Sequence, residues 1–278
     1  MVCEIIENPT FKIAKPKVFN LSLILDCGQC FRWEKDENGV FSGVVDGRVF
    51  RIAETQEELL FFGADEKDFE EVLRAYLDFD RNYEDIIKNY KKDKYLKKAT
   101  CEFLGIRILK QEPWEALCSF IISQNNNIPR IKGIIKRLCE AFGDDLGDGF
   151  YSFPTPQKLS TLTIEDLAPL RSGFRAKYIL DAASKVANGE IDFNKISKSD
   201  LEYGRQELQK IKGVGKKVAE CTLLYGFLKI DAFPIDVWVK RIMAEMYPEG
   251  LPLCTKGTEG IAQQYLFHWR RNRINDDD

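Results

Sequence analysis

The chain has 278 residues, of which 44% are hydrophobic, and its formal net charge is −3. This length suits one large or two ordinary domains, and the composition is typical of a soluble globular protein. No run of about 18 apolar residues is present, which argues against a membrane-spanning helix. The start, MVCEIIENPTFKIAK, has no signal-peptide pattern, so we expect an intracellular location, in the cytoplasm or nucleoid of a prokaryote.

Charge is unevenly distributed along the chain. Residues 1–100 carry 16 basic and 20 acidic side chains, whereas residues 101–275 carry 25 and 21. A mildly basic C-terminal part is compatible with a nucleic-acid partner, although clustered charges are usually only a solvated surface. Charge therefore leaves nucleic-acid binding open without indicating it.

After residue 30, and as far as about residue 64, the chain reads as short strands. The segments FRWEK, VFSGVV and RVFRIAE are separated by turn signals at Asn38-Gly39 and Asp46-Gly47, which predicts an antiparallel meander. LLFFGA at 59–64 is a candidate for a further strand.

From Asp65 onward the apolar residues recur at helical spacing. Helices are predicted in DEKDFEEVLRAYL, PWEALCSFIISQ, IPRIKGIIKRLCEAF, RAKYILDAASKVANG, DLEYGRQELQKI, KKVAECTLLYGFL, DVWVKRIMAEMY and EGIAQQYLFHWRR. We therefore predict an α+β protein with an N-terminal antiparallel β-sheet domain packed on a mainly α-helical domain. The predicted division is 1–100, which includes linking helices, and 101–278, with the boundary region spanning 65–110.

The eight cysteines lie at positions 3, 27, 30, 101, 118, 139, 221 and 254. Only Cys27 and Cys30 form a C-x-x-C pair, and the single histidine, His268, is far away in sequence. A zinc site needs about four clustered ligands, and no closely spaced set of four cysteines for an iron–sulfur cluster is present. We expect neither a metal nor another cofactor. A redox disulfide remains an alternative, although no βαβ pattern surrounds the pair.

The segment LQKIKGVGKKVAEC predicts two helices joined by a tight hairpin at Gly213 and Gly215. Glycines allow a close backbone approach, and the free amides of the following helix N-terminus can bind an anion such as a DNA phosphate. The alternative is a turn that only packs two helices together.

Two side chains near this hairpin can carry chemistry. Lys217 lies in the first turn of an otherwise apolar helix, where partial burial favours the neutral amine that can attack a sugar C1′ and form a Schiff base. Asp236 is placed to cap the next helix, and a carboxylate there can also stabilise a developing cation. Capping alone is the alternative.

The hairpin, the lysine and the aspartate nineteen residues later resemble the helix–hairpin–helix glycosylases of base-excision repair. Within that group, the chain resembles the 8-oxoguanine DNA glycosylase/AP lyases of animals and fungi. It has six of their sequence motifs in the same order: GQCFRW, SQNNNIPRI, GFRAKYI, GVGKKVAEC, PIDV and AQQYLF. The resemblance implies a bifunctional enzyme that flips 8-oxoguanine out of duplex DNA, excises it and nicks the strand by β-elimination. It also implies that double-stranded DNA is the partner and that the protein acts as a monomer.

The resemblance assigns roles to the residues of the base pocket. Lys217 and Asp236 would be catalytic. The Gly28 carbonyl would accept the N7–H that distinguishes 8-oxoguanine from guanine, and Gln263 would bind the Watson–Crick edge. Phe267 and Cys221 would contact the two faces of the base. In this interpretation Cys27 and Cys30 are incidental, and the residues between and after them carry the function.

A second set of residues would contact the DNA rather than the lesion: Asn125, Arg130, Phe174, Arg175, Gly213 and Gly215. Phe174 stands where animal enzymes have tyrosine, which puts the strictness of the cytosine preference in doubt. Trp238 and Arg270 replace a histidine–aspartate pair that is found in animal members of the family.

Three alternative functions remain for the whole protein: a glycosylase for another oxidised base, a non-catalytic hairpin module that binds DNA, and a C-x-x-C thiol oxidoreductase.

Overall fold

The computed structural model describes residues 8–273, and an antiparallel sheet occupies their N-terminal part. Its strands are β1 (Phe11–Ala14), β2 (Glu34–Lys35), β3 (Phe41–Val45), β4 (Arg48–Glu54) and β5 (Glu58–Phe62), in the spatial order β1-β5-β4-β3-β2. Helix α1 (Leu21–Asp26) lies between β1 and β2 in the chain. The predicted antiparallel sheet is therefore confirmed.

Two predicted hairpins set the strand register. Asp46 and Gly47 both have positive φ, 50° and 70°, which is the conformation of a two-residue turn that matches strand twist. Gly39, with φ of 85°, ends the turn before β3. The strand predicted in FRWEK is shorter than expected, because only β2 pairs with β3 there. Strand β1 and helix α1 were not predicted.

After β5, the chain forms two short helices, α2 (Glu66–Asp68) and α3 (Arg74–Tyr76), which are joined by a π-helical turn at Phe69–Leu73. The remaining helices are α4 (Tyr83–Tyr90), α5 (Lys94–Glu102), α6 (Pro113–Ser123), α7 (Ile128–Phe142), α8 (Pro156–Ser160), α9 (Ala176–Ala187), α10 (Phe193–Lys198), α11 (Leu201–Leu208), α12 (Lys216–Phe227), α13 (Val237–Met246) and α14 (Glu259–Arg271). Between α7 and α8 lies a small hairpin of β6 (Asp145–Gly147) and β7 (Phe150–Tyr151).

The predicted helices are all present, whereas α4, α5, α8, α10 and the β6–β7 hairpin were missed. Local signals for all five exist in the sequence, and Thr155 and Asp192 cap α8 and α10 through their side chains. Asn82 and Asp93 cap α4 and α5 through their side chains, and Asp148-Gly149 is a hairpin signal between β6 and β7. The missed helices are at most nine residues long, which leaves few positions in which an apolar period can be recognised, although α4 buries Tyr83, Ile87 and Tyr90 at helical spacing.

Two hydrophobic clusters form the core. One packs the sheet against α1 to α3, and the other fills the space between the helices from α4 onward. They are interleaved in sequence, because Val18 and Phe31 belong to the helical cluster and Leu109 belongs to the sheet cluster. The predicted division after residue 100 falls inside α5 and stays a prediction. Among residues 8–273, no helix has the length and apolar character needed to cross a bilayer.

The GQCFRW segment joins the two parts. Arg32 pairs with Glu115 of α6 at 2.9 Å, and the Trp33 indole N–H donates to the Tyr76 hydroxyl at 2.8 Å. Phe31 packs edge-on against Phe120, with ring centroids 6.0 Å apart. These contacts fix the loop that precedes β2 against the helical core.

Candidate active site

The predicted hairpin lies between α11 and α12, and α12 begins at Lys216 as expected. Gly213 has φ of +79°, and a Cβ atom there would overlap the ring of Tyr178. Gly215 caps α12 without a side chain, and a Cβ atom there would meet nothing within 4 Å. Gly213 therefore serves turn geometry and packing, whereas Gly215 leaves the first amides of α12 accessible to an anion.

Lys217 is half-buried in the first turn of α12 and reaches across to α6. Its Nζ donates to Ser123 Oγ at 3.2 Å and lies 5.2 Å from the centroid of the Phe120 ring. Ser123 Oγ in turn donates to the Phe120 carbonyl at 2.9 Å. The packing of α6 against α12 therefore holds the amine in one position. Ser123 was not predicted as a site residue, because no local pattern of residues links it to Lys217.

Cys221 lies one turn after Lys217 and is buried. Burial raises the pKa of its thiol to about 11, Lys217 opposes this shift, and the carboxylate of Asp236 adds to it. The thiol is therefore neutral near pH 7 in the free protein. Lys217 and Asp236 are therefore both near enough to Cys221 to act on the charge of its thiol.

Asp236 caps α13, accepting a hydrogen bond from the Val239 amide at 2.8 Å. The loop before it is held by Glu220, a buried carboxylate that accepts from the Phe233 amide at 2.8 Å and from Arg205 Nε at 2.5 Å. Glu220 was not predicted. Its position inside an otherwise buried helical segment was the available signal, because buried carboxylates are usually paired.

Gly28 has φ of +91°, a backbone conformation that favours glycine. The carbonyl of the preceding residue, Cys27, accepts a hydrogen bond from Gln264 Nε2 at 3.2 Å, across 237 residues of sequence. Gln264 Oε1 accepts from the Tyr225 hydroxyl at 2.5 Å. The Gly28 loop is therefore attached to both α14 and α12, the helices that carry the other predicted pocket residues.

Gln29 fixes the same loop from its other side. Its fully buried amide donates to the carbonyls of Ile24 and Arg107, both at 2.8 Å, and accepts from the Leu109 amide at 2.9 Å. Gln111 Nε2 donates to the Gln29 carbonyl at 2.7 Å. Gln29 therefore supports the loop from within the core.

Cys27 and Cys30 are both free and buried. Burial raises the pKa of Cys27 to about 12 and raises that of Cys30 well above its usual value. Each thiol donates to a backbone carbonyl of α1, Cys27 to Ile24 at 3.5 Å and Cys30 to Leu25 at 3.3 Å. The C-x-x-C pair is thus part of the packing of α1, and the interpretation of both sulfurs as incidental to the chemistry fits this environment.

Gln263 and Phe267 lie one turn apart on α14. Gln263 is 5% exposed, and its Oε1 has no hydrogen-bond partner among the described residues. A buried unpaired amide oxygen costs about 1–3 kcal/mol, so it marks a place where a ligand donor would be favourable. Phe267, four residues later on the same helix, is half-buried.

The predicted DNA-contacting residues lie between α6 and α7 and before α9. Asn125 and Arg130 are exposed, and Asn125 has φ of +47°. Phe174 is 48% exposed. Arg175 is buried, with its guanidinium donating to the Gln124, Asn125 and Ser172 carbonyls. Arg175 therefore supports the Asn125 loop in the free protein, and its predicted contact with cytosine stays a prediction.

Trp238 and Arg270 have separate partners. The Trp238 ring stacks under Arg241, with Cζ 5.1 Å from the ring centroid, and Arg270 pairs with Glu245 at 3.2 Å. Residues 8–273 contain no group of three or more His, Cys, Asp or Glu side chains that could hold a metal ion.

Comparison with known proteins gives two family models that match consecutive parts of the chain. One is the 8-oxoguanine DNA glycosylase, N-terminal domain, at residues 12–117. The other is the HhH-GPD superfamily base excision DNA repair protein, at residues 118–250. The N-glycosylase/DNA lyase of Saccharomyces cerevisiae is 34% identical over 257 residues, which are 82% of this chain and 68% of the yeast protein.

Solved structures agree with these matches. A structure of MBOgg1 in complex with a low affinity DNA ligand has a TM-score of 0.87 and 39% identity, covering 94% of this chain and 99% of that one. The Clostridium acetobutylicum 8-oxoguanine glycosylase/lyase, in complex with dsDNA containing cytosine opposite 8-oxoG, has a TM-score of 0.86 and 36% identity, covering 96% and 99%.

The hairpin between α11 and α12 is followed in the chain by Lys217 and Asp236. Together with the family match, it identifies the protein as a helix–hairpin–helix glycosylase of base-excision DNA repair. Within that class, the chain belongs to the 8-oxoguanine DNA glycosylase/lyase family.

Proposed function

We propose that this protein excises 8-oxoguanine from duplex DNA and then nicks the strand through a Schiff base on Lys217. The observation that carries the proposal is the position of Lys217. Its amine lies at the start of α12, directly after the glycine hairpin, with Ser123 beside Nζ and Cys221 and Asp236 in the same site. A DNA-binding hairpin without activity has no use for this arrangement.

The chemistry needs Lys217 as a neutral amine. The nitrogen lone pair attacks C1′, the C1′–N9 bond breaks, and the base leaves with the bonding electrons. Loss of protons from the nitrogen and opening of the sugar give the Schiff base. Removal of a C2′ proton then expels the 3′ phosphate by cleavage of the C3′–O bond.

Asp236 is proposed to stabilise the positive charge that develops on the sugar as the base leaves. Its carboxylate caps α13 through one oxygen, which fixes its orientation. Because the cap and the Glu220 contacts hold the surrounding backbone, the carboxylate needs little reorganisation during the reaction.

Lesion recognition is assigned to the pocket between the Gly28 loop and α14. The Gly28 carbonyl would accept the N7–H of 8-oxoguanine and would repel the N7 lone pair of guanine. Gln263 Oε1, which lacks a partner in the described residues, would accept from the Watson–Crick edge. Phe267 and Cys221 would enclose the two faces of the extruded base.

On the DNA side, Asn125, Arg130 and Arg175 would bind the orphaned cytosine, and exposed Phe174 would wedge into the stack. The hairpin at Gly213 and Gly215 would bind a phosphate. We also propose that the protein acts as a monomer in a prokaryotic cytoplasm or nucleoid. A monomer is supported by the location of all these residues in one chain.

Borohydride trapping tests the proposal. Duplexes carrying one 8-oxoguanine opposite each of the four bases are incubated with wild type, Lys217→Gln and the matched control Lys216→Gln, whose side chain is exposed. We expect a covalent complex with wild type and the control but none with Lys217→Gln. Ranking the four opposite bases also tests whether Phe174, which has no hydroxyl, allows partners other than cytosine.

The same experiment separates the alternatives when it is repeated with duplexes that carry other oxidised bases and when DNA binding is measured alongside. Trapping on another oxidised base but not on 8-oxoguanine would identify a glycosylase of different specificity. DNA binding without base release or trapping would identify a non-catalytic hairpin module.

A further inference from the structure

Arg271 is the last residue of α14, one turn after Phe267 and two turns after Gln263. A Cβ atom placed at Gly28 would lie 3.7 Å from Arg271 Nη1 and 3.6 Å from Ile128 Cδ1. A methyl group and a guanidinium therefore both lie close to the backbone proposed to read N7. A positively charged donor is thus within reach of a base held against the Gly28 loop.

The guanidinium of Arg271 has no hydrogen-bond or ion-pair partner among residues 8–273, although it is half-buried. The arginine two residues further on is different, because Arg273 pairs with Glu102 at 2.8 Å. Arg271 also acts electrostatically on His268, where it adds to burial in lowering the pKa of the imidazole. It is therefore a charged donor without an acceptor, next to the Gly28 loop.

We propose that Arg271 is a specificity-determining residue that donates a hydrogen bond to the C8 oxygen of the extruded base. This inference rests on the proposed function. Positions 263, 267 and 271 are separated by four residues each and so follow one face of α14, spanning about 12 Å along its axis. With Gln263 at the Watson–Crick edge and Phe267 over the face, Arg271 reaches the opposite, imidazole edge.

The order of these three residues along α14 also indicates which oxygen of the base Arg271 would contact. Two oxygens flank N7 of 8-oxoguanine, and the one on C6 belongs to the Watson–Crick edge, at the Gln263 end. The oxygen on C8 lies at the far end, where Arg271 meets Gly28. Guanine has C8–H in that position, which cannot accept a hydrogen bond, so a bound guanine would leave the guanidinium unpaired. Arg271 would therefore add to the discrimination made by the Gly28 carbonyl.

The test compares wild type, Arg271→Leu and Arg271→Lys, with Arg270→Leu as the matched control for loss of one positive charge at the same helix end. Single-turnover excision is measured on duplexes with 8-oxoguanine and with 8-oxoadenine, which keeps N7–H and the C8 oxygen but replaces the C6 oxygen. Nicking of a preformed abasic site is measured in parallel, and thermal unfolding checks the fold.

We expect Arg271→Leu to slow excision of 8-oxoguanine on the order of 10- to 100-fold, as loss of a hydrogen bond to a charged donor predicts. The factor should be similar on 8-oxoadenine, smaller for Arg271→Lys and much smaller for Arg270→Leu. The abasic site, which has no base, should show a far smaller effect than the lesion.

Three results would overturn the assignment. A penalty that disappears on 8-oxoadenine would place the contact at the C6 oxygen. An equal penalty on the abasic site would identify a phosphate contact, and an equal penalty in Arg270→Leu would identify general attraction to DNA. Failure of the proposed function itself is distinct, because wild type would then release no 8-oxoguanine.

Discussion

Lys217 Nζ donates to Ser123 Oγ at 3.2 Å, which joins the first turn of α12 to the end of α6. The two residues are 94 positions apart, and the serine hydroxyl is itself fixed by the Phe120 carbonyl. The position of the Lys217 amine therefore depends on a side chain from another helix.

Replacement of Ser123 by alanine tests this dependence. We expect Ser123→Ala to slow borohydride-trapped complex formation about tenfold or more, because a misplaced nucleophile loses its alignment with C1′. Ser123→Thr, which keeps a hydroxyl, should recover most of the rate. Affinity for a duplex with an abasic-site analogue should stay unchanged in both variants. Wild-type trapping by Ser123→Ala would show that the contact has no positioning role.

Asp236→Asn separates catalysis from helix capping. Asparagine caps helices as well as aspartate does, so the melting temperature should change little, whereas loss of the negative charge should lower single-turnover excision by about 10²- to 10⁴-fold. Asp236→Ala should lower both excision and stability, with a stability loss of about 1 kcal/mol. If Asp236→Asn excised 8-oxoguanine like wild type, Asp236 would be only a cap.

Gln29→Leu should destabilise the protein by at least about 2 kcal/mol, since it leaves the Arg107 carbonyl and the Leu109 amide unpaired in the core and the Ile24 carbonyl with only the Cys27 thiol. Urea unfolding measures the change. Gln157→Leu is the control, because that side chain is exposed and should change stability by no more than about 0.5 kcal/mol. Equal stability of the two variants would contradict the supporting role of Gln29.

Thiol labelling tests the environment of the cysteines. Among the described residues, exposed Cys101 should react first with a maleimide, and buried Cys27 and Cys221 should react slowly. Because the thiol pKa is raised to about 12 for Cys27 and to about 11 for Cys221, their labelling should accelerate about tenfold per pH unit between pH 8 and 10. Peptide mapping identifies the products. A stable Cys27–Cys30 disulfide after mild oxidation would restore the redox interpretation.

His268 is the single histidine of the chain, so its proton resonances can be followed by NMR without assignment. Its pKa should lie below the ordinary value of 6.5, because burial and then Arg271 disfavour the cation, with Asp26 opposing them. Arg271→Leu should move the pKa upward, and Arg270→Leu should not. A pKa unchanged by Arg271→Leu would separate the guanidinium from this end of α14.

The sign of the His268 shift also fixes its effect on stability. Below about pH 6.5 the unfolded chain binds a proton that the folded protein disfavours, so the stability present above this pH falls as the pH decreases toward the folded pKa. His268→Gln should remove this part of the acid sensitivity. Urea unfolding on both sides of pH 6.5 measures it.

Local chemistry was sufficient for much of the fold. Asn38-Gly39 and Asp46-Gly47 indicated the hairpins because their backbones accept positive φ, and the spacing of apolar residues predicted α6, α7 and α12. Helices α4 and α5 were missed because they span only eight and nine residues, although both begin at a side-chain cap and α4 buries apolar residues at helical spacing.

Local sequence patterns were enough to indicate which residues could do the chemistry: a lysine after a glycine hairpin, with a cysteine one turn later and an aspartate at the next helix start. How these residues are held depends on contacts between distant parts of the chain. Gln264 meets the Cys27 carbonyl across 237 residues, Ser123 meets Lys217, and Arg271 reaches Gly28. Such contacts form when distant helices bury their apolar faces together, and no local pattern of residues encodes them.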